Sequence, residues 1–146
     1  MTVLDAQTLI AFLTGEPAAA EVAALLRDPG DHAVISAVNV AETLDVLVRI
    51  KGRTPGEVEE RLDWLVAAGL VVVPVDDAIA RHGGRLRAQH YDRAQRPVSM
   101  ADCMALATAL ARGDRLATAD APLATMARAE GCALVLLPGS SGARPG

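Results

Sequence analysis

Runs of three to five β-branched or aliphatic residues recur along this chain, each followed by a stretch whose apolar positions repeat at helical spacing. That alternation limits the fold more than any other feature. Thr2–Leu4 reads as a short strand ending at Asp5, followed by a helix over 6–14 with Leu9, Phe12 and Leu13 on one face. Pro17 suits the first turn of a second helix carrying Val22, Leu25 and Leu26, which Asp28-Pro29-Gly30 stops. Ala33–Ser36 is the second strand. Asn39 then caps a helix through Lys51, and Pro55 opens another through Ala68, ended by Gly69. Val71–Val75 reads as a buried strand, and Asp76 and Asp77 begin a long helix over 76–91 that Gly83-Gly84 weakens. Beyond a polar loop, Arg93 to Val98, come a helix over 99–112, strands at Leu116–Thr118 and Ala133–Leu137, and between these a helix from Asp120 to Glu130. Strands alternating with helices imply right-handed crossovers. The expected class is therefore α/β: a central parallel sheet of about five strands (four or five) with helices on both faces.

A chain of 146 residues is one domain's worth. We place the domain at 1–138 and read the Gly/Ser/Pro-rich residues 139–146 as a flexible, solvated tail. Half the residues are apolar (51%) but only 2% are aromatic, so the interior is built of Ala, Val and Leu. Cys103 and Cys132 have neither CxxC nor Cys/His metal spacing, which argues against a disulfide scaffold or zinc ribbon and fits a reducing cytoplasm. The amino-terminal residues lack a basic n-region and Asp5 interrupts their apolar stretch, so no secretory signal is expected. The uncharged run Trp64 to Val75 covers 12 residues, against about 20 for a bilayer span, so no membrane association is expected. A net charge of −4 gives no global basic field, and any polyanion must meet a local patch.

In open parallel sheets, ligands bind outside the carboxyl ends of the strands. No GxGxxG or GxxxxGK[ST] occurs, which disfavours dinucleotide and P-loop sites. A receiver-like phosphoacceptor is disfavoured too, because the only lysine is Lys51. What the strand ends do carry is carboxylates. Asp5 ends the first strand and Asp120 lies just beyond the fourth, while Glu42 and Asp102 sit in the first turns of the helices starting near Asn39 and Ser99. Each has a capping explanation: Asn39-Val-Ala-Glu42 and Ser99-Met-Ala-Asp102 resemble capping boxes, and Asp5 and Asp120 suit N-caps. Caps need not share one edge of a sheet, however. Four carboxylates gathered there would raise one another's pKa unless a cation neutralised them. The natural cation is Mg²⁺, with Mn²⁺ able to substitute, since both take hard oxygen ligands. Such an ion can activate water for in-line attack on a phosphodiester.

Four segments carry a family resemblance: Thr2-Val-Leu-Asp5, Ser36-Ala-Val-Asn-Val-Ala-Glu42, Val98-Ser-Met-Ala-Asp102 with Cys-Met-Ala-Leu-Ala-Thr-Ala-Leu110 behind it, and Leu116-Ala-Thr118-Ala-Asp120. In this order and spacing the chain resembles the PIN-domain ribonucleases, and in particular the VapC-like toxins of type II toxin–antitoxin systems, over nearly all of residues 2–138. The resemblance implies an acidic quartet of Asp5, Glu42, Asp102 and Asp120, with Asp5 and Asp102 as principal metal ligands. Glu42 would bind metal directly or through water, Asp120 would complete a second site or orient water, and Thr118 and Asn39 would support the carboxylates. The implied activity is metal-dependent endoribonuclease cleavage leaving a 5′-phosphate and a 3′-hydroxyl. The same resemblance implies a homodimer and a helical antitoxin segment docking in a groove, for which Leu9, Phe12, Leu13, Leu44, Leu47 and Val48 are the candidates.

RNA would be met by the local basic stretch of Arg81, Arg85, Arg87, Arg93 and Arg96, with one Trp, one Tyr and one Phe leaving little scope for aromatic stacking. His32, His82 and His90 lack metal-pair spacing and read as surface or satisfied histidines, and Cys103 as a buried thiol. Two readings compete with the nuclease: a catalytically silent PIN-like module that binds protein or RNA, and a metal-dependent phosphatase or DNA nuclease.

Overall fold

Val3, Val34 and Leu116 are buried in one apolar cluster, while their chain neighbours Leu4, Ile35 and Ala117 are buried in another. Successive side chains of a strand point to opposite faces, so these strands are apolar on both and need helices on both. In the computed structural model, which describes residues 1–146, the elements run β1 (Thr2–Leu4), α1 (Ala6–Thr14), α2 (Ala19–Arg27), β2 (Ala33–Ser36), α3 (Ala37–Arg49), α4 (Pro55–Ala67), β3 (Val71–Val73), α5 (Asp77–His90), α6 (Met100–Arg112), β4 (Arg115–Thr118), α7 (Ala121–Ala129) and β5 (Leu134–Leu136). Helices α1 to α4 share the cluster of Leu4 and Ile35, and α5 to α7 that of Val3 and Val34. No single helix is long and apolar enough to cross a membrane.

All five strands are parallel, in the order β3-β2-β1-β4-β5. The chain moves outward from β1 through β2 to β3, then crosses to the other side of β1 for β4 and β5. That reversal puts a crevice at the carboxyl ends of β1 and β4, where ligands of such sheets bind.

The structure corrects several local expectations. Helix α3 starts at Ala37, and its cap is Ser36, whose Oγ accepts from the Asn39 backbone N–H at 3.2 Å. Asn39 is therefore inside the helix, and Glu42 lies a turn further in than expected. β3 is short and is the sheet's edge strand, so Val71 and Val72 are about 40% exposed rather than buried. Pro17 precedes α2 instead of entering its first turn. Helix α5 runs unbroken through Gly83-Gly84. A Cβ on Gly83 would come 2.7 Å from Met104 Sδ, so this glycine permits the close approach of α5 and α6. Residues 139–146 fold back on the domain: Gly139 N–H donates to Ala143 O at 2.7 Å, and Arg144 pairs with Glu21 of α2 and donates to Leu136 O.

Candidate active site

Asp5 follows β1 directly and is the N-cap of α1, its Oδ1 accepting from the Thr8 backbone N–H at 2.7 Å. A cap must sit at the helix entrance, and β1 delivers that entrance to the crevice. Across it, Thr118 ends β4, and its Oγ accepts from the Asp120 N–H at 3.0 Å. Asp120 caps α7 through Oδ1 and the Leu123 N–H at 2.7 Å. Asp102 enters from α6 in a reciprocal capping box. Its Oδ2 accepts from Ser99 N–H at 2.8 Å, and its own N–H donates to Ser99 Oγ at 3.0 Å. Glu42, half-buried on α3, caps nothing.

Caps thus account for three of the four carboxylates, but for only one oxygen of each. The second oxygen of Asp5, Oδ2, is fully buried without a hydrogen-bond partner. Burial pushes the Asp5 carboxyl pKa up and Asp120 adds to it; the Thr118 and Thr8 hydroxyls favour the ionised form without offsetting burial. Burial, then the charges of Asp5 and Asp120, push Asp102 up to about 7 against the capping bonds from Ser99. Glu42 is raised by burial first, then by Asp5 and Asp45. Asp5 is the hub, interacting electrostatically with each of the other three. As the side chains lie, no three carboxylates converge tightly enough to hold one ion. Each capping bond turns its carboxylate toward its own helix.

Asn39 ties this arrangement together. Fully buried, it accepts from Ala6 N–H through Oδ1 (3.2 Å) and donates through Nδ2 to Ser36 Oγ (2.7 Å) and Ala101 O (3.3 Å). One side chain therefore links the starts of α1, α3 and α6, the helices of Asp5, Glu42 and Asp102. Residue spacing alone does not single out Ser36; the signal for it is a serine directly before the helix, a preferred N-cap residue.

The basic stretch is less uniform than its sequence suggests. Arg85 and Arg93 are exposed, whereas Arg81 pairs with Asp77 at 2.8 Å. Arg87 is half-buried and structural: its Nε donates to Val98 O at 3.2 Å, and its guanidinium lies 4.5 Å from the Tyr91 ring centroid. Arg96 lies beside His90, and His90 is a buried, satisfied histidine, 2.5 Å from Glu130 Oε1. Burial raises the Cys103 thiol pKa to about 11, so it is unreactive.

The expected groove does not form as one surface. Leu9 and Leu47 are core residues, 0% and 3% exposed, because α1 and α3 turn these positions onto the sheet. The half-buried remainder lines three separate depressions: Phe12 with Leu26 and Leu65, Leu13 with Val58, and Leu44 and Val48 with Pro55. A different cleft of about 330 Å³ adjoins the acidic cluster, with Glu42 on its wall.

A model of the PIN domain family matches residues 2–129. Among solved structures, the chain is similar to DNA-bound VapBC from Salmonella typhimurium at 22% identity, covering 92% of this chain and 96% of that one with a TM-score of 0.67. It is similar to Mycobacterium tuberculosis VapC20, a Sarcin-Ricin loop cleaving toxin, at 14% identity over 86% of this chain and 94% of that one (TM-score 0.68). FitAcB from Neisseria gonorrhoeae aligns at 24% identity over 92% and 96%, with a TM-score of 0.64. At these identities the likeness shows a shared fold. No curated protein sequence matches.

Proposed function

Because the chain belongs to the PIN-domain family, we propose that it is a metal-dependent endoribonuclease, the toxin of a toxin–antitoxin pair, with Asp5, Glu42, Asp102 and Asp120 holding Mg²⁺ or Mn²⁺. The observation that carries this reading is the buried, unpartnered Oδ2 of Asp5 at the hub of a carboxylate cluster. A buried carboxylate oxygen with no donor is costly unless a cation meets it. The oxygens around it come from carboxylates and hydroxyls, a hard set that suits Mg²⁺ or Mn²⁺ and offers zinc no nitrogen or sulfur. The residues fit the group.

Bound there, the cation would supply water activated near neutral pH and positive charge for the leaving oxygen. The chain does the positioning. Asp5 and Asp102, each fixed through one oxygen by a cap, offer the other as principal ligands. Glu42 has no such bond and can adjust to bind directly or through water, and Asp120 orients the attacking water. Thr118 holds Asp120 by its backbone, and Asn39 keeps the three helix starts in register. Arg85 and Arg93 meet phosphates, Arg96 and Arg81 contributing from partly committed positions. In-line attack leaves a 5′-phosphate and a 3′-hydroxyl.

The partner reading is supported by FitAB bound to DNA and by VapBC complexes among the structural neighbours. We assign an antitoxin protein as its partner, and place the protein as a cytoplasmic homodimer with residues 1–138 as its PIN-like nuclease domain. One observation favours a catalytically silent module: no three carboxylates converge on one point. Cleavage of mixed RNA by partner-free protein in Mg²⁺, Mn²⁺ or EDTA, beside Asp5→Asn and Asp102→Asn, decides between them. Metal-dependent fragments absent from both folded variants are expected. Cleavage unchanged in both would mean the quartet is not the site, and no cleavage of any RNA by metal-loaded wild type would favour the silent module.

A further inference from the structure

The cleft beside Glu42 is bounded by α1, by α3 and by the segment that follows β5. Its polar rim carries Gln7, Lys51 and Ser140, all exposed, besides the half-buried Glu42, and Ile10 and Leu137 give it an apolar floor. Its volume of about 330 Å³ lies at the lower end of roughly 300–1,000 Å³, the usual range of small-molecule sites. With Glu16 also on the rim, carboxylates outnumber the single ammonium. That balance suits a neutral ring presenting amino hydrogens and disfavours a phosphate.

One wall is tied to the sheet only at its start, where Leu137 N–H donates to Thr118 O at 2.9 Å. Leu137 to Ser140 lie beyond β5 and are braced by Arg144, which grips Glu21 of α2 through both guanidinium nitrogens (2.6 and 3.2 Å) and donates to Leu136 O. The turn between is closed by Gly142 N–H on Gly139 O at 2.8 Å. Residues read from composition as a solvated tail thus form part of a cavity that shares a residue with the acidic cluster.

We propose that this cleft receives one unpaired nucleobase of the RNA next to the scissile phosphate, and that Arg144 positions its C-terminal wall, so that Gln7, Lys51 and Ser140 set the base preference of cleavage. The proposal rests on the nuclease reading above. Single-stranded RNA is read by splayed bases hydrogen-bonded along their edges, and a base out of the stack can be held against apolar side chains. Sharing Glu42 between cleft and cluster would hold the selected base a fixed distance from the bond that is cut.

The test is sequencing of the fragments that wild type, Gln7→Ala and Arg144→Ala release from a randomised single-stranded RNA pool. It is paired with NMR amide shifts on adding short single-stranded RNAs in EDTA. Wild type is expected to prefer one base at a fixed position from the cut by about tenfold, the discrimination of one hydrogen-bonded base edge. Both substitutions should erase that ratio, which a general loss of folding or metal would not move. Cleavage without a base preference, or with one unchanged in both variants, overturns the proposal and leaves the nuclease standing. If wild type cuts no RNA, the nuclease reading fails and the shifts decide the cleft. Shifts at Gln7, Lys51 and Ser140 that Gln7→Ala abolishes retain it as a base site. Their absence overturns it.

Discussion

Replacing Asp102 by Asn tests the electrostatics of the cluster without touching the fold around it. The amide keeps an acceptor for the Ser99 N–H that Asp102 now binds at 2.8 Å, so the N3 arm of the capping box is retained. What disappears is the ionisation. Burial and the charges of Asp5 and Asp120 set the Asp102 carboxyl at about 7, raised from 3.8. A folded-state pKa above the unfolded one means that between these values the folded protein holds a proton the unfolded chain has lost, so stability falls as pH rises. From pH 5 to pH 7 this spans two units at about 1.4 kcal/mol each, or about 3 kcal/mol of stability lost by the metal-free protein and nearly constant above pH 8. Part of that is returned to solvent screening, because Asp102 is not fully buried. The assay is urea unfolding followed by far-UV circular dichroism in EDTA between pH 5 and 8. Wild type should lose stability across the window and the variant should lose less, its remaining loss coming from the raised Asp5 and Glu42, so that it becomes the more stable protein at pH 8. Millimolar Mg²⁺ should restore wild type selectively. Parallel pH curves for the two proteins in EDTA would refute the reasoning.

Three further outcomes are expected. Asn39→Ala strips buried hydrogen bonds from Ala6, Ser36 and Ala101 and should cost at least about 2 kcal/mol in urea unfolding, since unsatisfied buried groups cost about 1–3 kcal/mol each; an unchanged midpoint would contradict it. Gly84→Ala, with nothing within 4 Å of the new Cβ, should raise stability by about 1 kcal/mol through helix propensity, whereas Gly83→Leu meets Met104 and should lower it by about 1–3 kcal/mol; thermal melts check the pair. Arg85→Glu with Arg93→Glu should weaken RNA binding and flatten its salt dependence without altering stability, while Arg87→Ala, which removes the bond to Val98 O, should alter stability; filter binding at several salt concentrations separates the two.

The features most legible in sequence were those set by local chemistry. Ser99-Met-Ala-Asp102 is a capping box in both sequence and structure, Pro55 opens α4, and Gly69 follows its end with a positive φ. Apolar pattern could not tell β3 from a central strand, because Val71-Val72-Val73 would suit either; its edge position depends on the order of strands. The same limit hid the separation of Phe12, Leu13, Leu44 and Val48 into three depressions. A helix face read from spacing gives direction, and only the packing of neighbouring helices decides whether adjacent faces meet. Asn39 reads from the sequence as a cap because Asn favours caps. The residue that caps is Ser36, and Asn39 gains a role no spacing reveals, bonds to two segments far away in the chain.

Capping and metal binding are commonly weighed as rival explanations for a carboxylate at a helix start, yet here they use different atoms. A capping Asp spends one oxygen on a backbone N–H and is thereby held in one rotamer with the other oxygen free. Asp5, Asp102 and Asp120 are each held in this way, through Thr8, Ser99 and Leu123. The short Asp side chain makes such fixing effective, since only two torsions separate backbone from carboxylate. Glu42 is the longer acid and the one without a cap, so on the proposed reading it supplies adjustment where the other three supply rigidity. An arrangement of this kind explains how a sheet edge can keep like charges together before any cation arrives: helix N-termini stabilise anions, and three of the four acids stand at one. The remaining strain falls on Asp5, buried and with one oxygen unpartnered, which is where the strongest demand for a cation lies.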